Sequence, residues 1–402
     1  MVKQFILLVG ASALIWSCSK DELTVTTPII STAEIIDEPA TTTEEPEIIT
    51  EENSTSTYDK TMNWVANAQV HSGLIESAEG TNFVSLYDNA LTTLLFIQEG
   101  QLEKAEMVLD FFQARIASEL KANTGGFYQF RDAAGNNGSR TWMGDNAWLL
   151  IAVNHYHAAS GNQKYNDLAE ELELWLRSLQ EEDGSLKGGF NEDGSEIPKV
   201  SEGIITAFNA VPGYDAFHQN ILSYLKNQRW VAAEATIVAW PENPAYNYAL
   251  DLHALSYGAF EGFPEHILTQ AERYHTTQTA TVSGQEVNGY CFDEDKDVIW
   301  LEGTAQLAVA YQTAHNSSKA DALIQEIEKT AITSATNELS IGIPYTTNFG
   351  TNFGSNALWD HADLTPAISS TAWYLFAKSG FNPLAMGKQK NIPAADQFWL
   401  NL

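Results

Sequence analysis

Cysteine and positive charge are scarce in this chain. Of 402 residues only two are cysteine, so no disulfide framework can brace the fold. Lys and Arg total 21 against 52 Asp and Glu, a net charge of −31. A field of that sign repels phosphate backbones and argues against nucleic acid as a partner. No apolar run reaches the roughly twenty residues that a membrane-spanning helix needs. G-x-S-x-G, H-E-x-x-H and P-loop motifs are missing, which removes the simplest sequence signals for a hydrolase serine, a catalytic zinc or a bound nucleotide. Aromatic residues are plentiful instead. Eleven Trp, 15 Tyr and 18 Phe, within 44% apolar residues, suffice for a large core.

The start of the chain reads as a targeting segment. Lys3 precedes a mostly apolar run at 5–16, and Ile15, Trp16, Ser17 and Cys18 resemble a bacterial lipobox. Residues 1–17 are therefore expected to be a lipoprotein signal peptide, with Cys18 lipidated. Ser19, Lys20, Asp21 and Glu22 resemble the acidic export signal of Bacteroidetes surface lipoproteins. The expected location is the outer membrane, facing the periplasm or the cell exterior. Residues 18–57 are rich in Thr, Glu and Pro and hold no aromatic residue, and 19–57 carry ten acids against Lys20 alone. Such a segment buries too little apolar surface to offset its ordering entropy and reads as a solvated tether. One domain is expected over 58–402.

From Tyr58 two kinds of helical segment alternate. Tyr165, Leu168, Ala169, Leu172, Trp175, Leu176 and Leu179 recur every three or four residues, as do Ala105, Val108, Leu109, Phe112 and Ile116. These are helices with one buried stripe. Segments such as AWLLIAV at 147–153, GTAQLAVAY at 303–311 and AISSTAWYLFA at 367–377 are apolar or small on every side, and such helices are buried all round. Asp88, Asp145, Glu202, Asp251, Glu302 and Asp360 mark the starts of the buried kind, at gaps of 57, 57, 49, 51 and 58. That is an internal repeat. The expected fold is all-α, an (α/α)6 toroid of six helical hairpins with almost no β-sheet. Residues 58–75 supply the outer helix that closes the ring against 366–378. An open solenoid would need polar caps, and both terminal segments are apolar.

In a toroid these acidic starts share one end of the ring. Acids in a first turn can simply complement the helix dipole or cap free amides. For Asp88 and Asp251 that reading stands level with a functional one, but it does not explain why aromatics flank so many of the acids. Carboxylates among aromatic rings suit a sugar, whose apolar faces stack and whose hydroxyls donate, and two carboxyls can serve as acid and base on a glycosidic bond. The catalytic candidates are Glu302 as proton donor with Asp145 as partner, then Asp88 and Glu202. Substrate-binding candidates are Tyr87, Trp142, Trp240, Trp300, Tyr345, Trp359, Asp360 and His361. Trp148, Trp175 and Trp373 lie inside helical patterns and read as core. Gly144 is expected to let substrate approach, and Asn146 to hydrogen-bond Asp145. Asp293, Asp295 and Asp297 alternate as in a calcium loop. Val298 and Thr304 stand where Gly and Glu are required, so a solvated loop is expected and no metal or other cofactor. Cys291 reads as a buried thiol.

GDNAWLLIAVNHYHAASGNQKY, WLEGTAQLAVAY and ISSTAWYLFAKSGFNPL resemble bacterial members of the six-hairpin glycosidase superfamily, over most of residues 83–384. The resemblance implies the toroid, a groove at the helix-start end, and Asp88, Asp145, Glu202 and Glu302 as its conspicuous acids. At Ser201–Ile204 the chain lacks the family's His and Asn. A glycoside hydrolase acting as a monomer on an oligo- or polysaccharide is the expectation. The alternatives are a non-catalytic glycan binder and, on the same scaffold, a polysaccharide lyase or sugar epimerase. A lyase for acidic sugars would need basic groove residues, for which Arg131 and Arg140 are the best available. An epimerase usually needs paired His, and only His253 and His361 lie near helix starts.

Overall fold

The computed structural model describes residues 56–243, 247–353, 356–358 and 361–400. Cys18, the segment before it, nearly all of the expected tether, Trp359 and Asp360 lie outside the described residues. No helix among the described residues is long and apolar enough to cross a membrane.

Six helical hairpins form a closed ring. The inner helices are α2 (Leu86–Gln98), α4 (Met143–Ser160), α6 (Ser201–Ala210), α8 (Asp251–Ala259), α10 (Leu301–Thr313) and α12 (Ile368–Ser379). The outer helices are α3 (Leu102–Gln113), α5 (Asn166–Ser178), α7 (Ala216–Tyr224), α9 (His266–Gln270), α11 (Ser317–Glu328) and, from the start of the chain, α1 (Thr57–Asn67). Each inner helix packs on the next, and α12 packs back on both α2 and α1. The expected closure by the N-terminal segment is thus present. The division of labour follows composition. Helix α4 buries twelve of its eighteen residues, whereas α5 buries only Leu168, Leu172, Trp175 and Leu176.

The loops differ from the sequence expectation. Helix α9 is a single turn continued by a 3-10 turn over Ala271–Tyr274. Strands are also more numerous than expected. Before the inner helices lie β1 (Phe83–Ser85), β2 (Tyr128–Asp132), β3 (Ser139–Trp142) and β4 (Gly189–Phe190), an antiparallel sheet in the order β1-β2-β3-β4. Two-residue to five-residue hairpins occur elsewhere, for example His275–Thr279 with Glu286–Tyr290. Long connections over a ring mouth bury backbone amides that must be paired, and short ladders pair them.

A recurring device ties these loops down. Asn89 and Asn146 each directly follow an acid, yet neither serves it. Asn89 accepts from the Ile75 amide at 2.9 Å and donates to the Ile75 carbonyl. Asn146 does the same with Phe127, at 2.8 and 3.0 Å, and also donates to the Trp142 carbonyl. In the fifth and sixth hairpins Thr304 accepts from the Tyr290 amide and Thr371 from the Ile343 amide. The expectation that Asn146 hydrogen-bonds Asp145 is corrected: its amide is spent on backbone. Asn146→Ala leaves both Phe127 backbone groups buried and unpaired, so we expect a loss of about 2 kcal/mol in denaturant unfolding.

The far end of the ring is crossed by the C-terminal segment. The Leu384 carbonyl accepts from Asn209 of α6, Tyr214 donates to Asp396, and Trp399 packs against Phe260 and Phe263 beyond α8.

Candidate active site

At the helix-start end a cavity of about 490 Å³ opens along the ring axis. Asp88, Asp145, Glu202, Asp251 and Glu302 all line it, one from each of five inner helices. Tyr87, Trp142, Trp300, Tyr345 and His361 share the wall. Trp240 does not; it packs, half-buried, against the apolar core. Its position in a loop could not distinguish those outcomes.

Helix capping does not account for these acids. Ser85 caps α2, accepting from the Asp88 amide at 3.4 Å, which leaves the Asp88 carboxyl for the cavity. Helices α4, α6 and α10 begin without any side-chain cap. Of the five, Asp251 is the one that turns an oxygen to a backbone amide of its own helix among the described residues, where Oδ1 accepts from the Leu252 amide at 2.9 Å. The five helix N-termini converging here favour negative charge, but burial outweighs them. It pushes Asp88, Asp145 and Asp251 up to about 8 and Glu202 to about 7, and raises Glu302 as well. Neighbouring carboxylates add to this: Glu302 acts on Asp88, Asp145 on Glu202, and Glu202 on Asp251. Asp145 has a counterweight in the Arg140 charge, which favours its ionised form.

Glu302 is held from one side. Its Oε1 accepts from the Tyr87 hydroxyl at 2.7 Å and from Gln306 at 3.1 Å. The Tyr87 hydroxyl in turn accepts from Trp373 Nε1 at 2.7 Å. Tyr345 and Ser369 border the same carboxyl, while Oε2, buried, makes no hydrogen bond. Asp145 likewise has Oδ2 buried without a hydrogen bond. Two carboxyls with one oxygen each unused, both on the cavity wall, are able to give and take protons on a ligand.

The aromatic wall packs edge to edge in two groups. Tyr87 meets Trp148 edge-on at 5.6 Å, and Trp148 meets Trp373 at 5.8 Å. Phe292 sits edge-on to Trp300 at 5.1 Å. The core reading of Trp148 is incomplete, because this ring is buried and also lines the cavity. Gly144 has a different role from the expected one. A Cβ there would lie 2.7 Å from Trp142 Nε1 and 2.9 Å from Glu202 Oε2, so the missing side chain admits protein neighbours. Sequence reading left out Gln306, Ser369, Gln129 and Phe292. Gln306 lies one helical turn beyond Glu302, a spacing that places both on one face.

Other candidates fall outside the cavity. His253 is buried against the Ile267 carbonyl and Tyr274, and burial lowers it to about 4. His361 is thus the one histidine of the cavity among the described residues. The Cys291 thiol is buried, raised to about 12, and lies 3.5 Å from Asp295 Oδ1. Among the described residues, Cys291, Asp295 and Asp297 are the one group of three side chains whose ligand atoms fall within 4.8 Å of one another.

No family model and no curated protein matches this chain. Solved structures do. A glycosidase in complex with glucose superposes with a TM-score of 0.56 at 12% identity, covering 81% of this chain and 95% of that one. A sugar epimerase from a ruminal bacterium gives 0.57 at 10%, with 80% and 96% covered. Cellobiose 2-epimerase from Spirochaeta thermophila gives 0.56 at 14%, with 82% and 94% covered. The fold is the (α/α)6 toroid of these glycosidase- and epimerase-type enzymes. Likeness at such identity defines the fold, and the activity has to be argued from the site.

Proposed function

We propose that this chain is a glycoside hydrolase held at the outer membrane by a lipid on Cys18. The observation that carries the reading is the set of buried carboxyls, raised towards neutrality, around one aromatic-walled cavity. Protonated Glu302 delivers its proton to the glycosidic oxygen as the bond to the anomeric carbon breaks. Asp145 acts as its anion, which Arg140 favours but burial holds back until about pH 8, and supports the positive charge growing on that carbon, where water adds. The products are two hydroxyl-bearing sugars, and the water's second proton returns to the carboxyl pair. Trp142, Trp148 and Trp300 offer ring surface to a pyranose. An epimerase or isomerase, suggested by the other structural neighbours, is less well served by a cavity in which His361 is the single histidine among the described residues.

Reducing-sugar release from a panel of glycans tests the proposal. Turnover on at least one glycan is expected. Tight binding without release would make the chain a glycan binder, and interconversion of sugars without release would make it an epimerase. Tyr87→Phe removes the hydroxyl that orients Glu302, and we expect roughly a tenfold fall in kcat with little change in melting temperature. Cys18→Ala should move the protein from the membrane fraction to the soluble one. Complete retention in membranes would end the lipoprotein reading.

A further inference from the structure

The cavity ends at a rim that the bond-cleaving groups leave unused. Among the described residues Phe349 is the one Phe, Tyr or Trp that stands exposed, at 60%. A lone exposed aliphatic side chain is ordinary on a protein surface. A whole aromatic ring in water is more costly, and this one lies against the site. It meets the His361 ring at 4.2 Å and 80°, and the Phe349 carbonyl accepts from the His361 amide at 3.1 Å. His361 is a wall residue of the cavity. Leu364, 48% exposed, stands in the chain between two further wall residues, Ala362 and Thr365.

A braced loop presents the ring. Tyr345, itself on the wall, donates its amide to the Ala362 carbonyl at 3.0 Å, and the Thr347 amide donates to the Ile299 carbonyl at 3.2 Å. Thr346 Oγ1 donates to the Asn348 carbonyl at 2.9 Å, and Asn348 Nδ2 donates to Gln278 Oε1 at 3.3 Å. A ring ordered in advance loses little freedom when a ligand lies on it. Continuity with the cavity names the occupant. A glycan that leaves the cavity past His361 meets Phe349 next. The apolar face of a pyranose covers such a ring while the sugar hydroxyls stay in water.

We propose that Phe349 is the stacking platform for a sugar unit lying outside the cavity, so that the protein selects oligosaccharides over single sugars. This rests on the glycan reading of the same cavity and narrows it to substrates that extend beyond the wall.

Calorimetric titration of the purified protein with cello-, manno- and xylo-oligosaccharides of one to six units tests this. In at least one series affinity should rise about tenfold from the shortest member that binds to the longest. Phe349→Ala should remove most of that rise and leave the shortest binding member within about twofold. Phe349→Trp, which keeps a stacking face, should retain the rise. Affinity that does not depend on length overturns the proposal, as does a rise that Phe349→Ala leaves untouched, or a lack of binding by every member. An equal loss on short and long members would make Phe349 a brace for His361 and overturns it too. Self-association in sedimentation that Phe349→Ala abolishes, with glycan affinity unchanged, would make the ring a contact between copies instead. Binding needs no turnover, which separates the two readings. A length preference carried by Phe349 without cleavage supports this proposal and sinks the hydrolase. Cleavage with length-independent affinity sinks this proposal alone.

Discussion

Glu302→Gln should cut turnover by about 10³- to 10⁴-fold while glycan binding survives. Gln keeps the shape of Glu and an oxygen for the Tyr87 hydroxyl at the 2.7 Å position. It has no carboxyl proton to release, from Oε1 or from the buried Oε2 that makes no hydrogen bond. The fold should not suffer. A neutral amide relieves a buried carboxyl of the ionisation that burial already opposes, so the melting temperature should hold or rise slightly. Single-turnover kinetics on any glycan that the wild type cleaves, with scanning calorimetry beside it, measures both. Surviving turnover with an early-melting fold would make Glu302 a structural residue, and Asp88 with Asp145 would become the pair to test.

The second large effect is on stability against pH. Asp88, Asp145 and Asp251 sit at about 8 and Glu202 at about 7, against ordinary values near 4. Between pH 4 and pH 8 the folded state therefore holds protons that the unfolded chain has lost. Stability falls with rising pH wherever the native state binds more protons, so these four groups contribute a loss across that window. Together it is on the order of 5 kcal/mol after allowing for relaxation of the wall. Unfolding in urea at steps from pH 5 to pH 8.5 should show the decline in the wild type. Asp88→Asn with Asp251→Asn should flatten about half of it and stabilise the protein most at the alkaline end. Identical slopes in both proteins would mean that these carboxyls ionise freely when folded.

The ring was legible in the sequence because two helix chemistries alternate on a fixed period, and the acids at the buried helix starts mark it. The convergence of Asp88, Asp145, Glu202 and Glu302 follows from that period alone. What stayed hidden depends on directions that a string of residues does not carry. Asn146 looks like a partner for Asp145, but a first-turn side chain can turn outward to a loop as easily as inward, and this one closes on Phe127. Asp251 reads as a helix-start acid, and it is one, with a second oxygen to spare. Trp148 reads as core from its place inside a helix, yet an inner helix near the ring mouth has a face on the cavity. Trp240 reads as a substrate-binding ring from its loop, and the loop folds it onto the core instead. The short strands over the mouth were missed because two to five residues carry too little alternation to stand out.

The segment that crosses the far end of the ring bears on how the protein is made. Trp399 joins Phe260 and Phe263, and Leu384 joins Asn209, contacts that bridge more than a hundred residues of chain. Leu384 and Trp399 follow all six inner helices in the chain, so they are made after them. Pairings of such long sequence separation are slow, since the loop between them must close first. A growing chain therefore lacks these locking contacts until residues 384–399 have been made, and the ring stays loose until then.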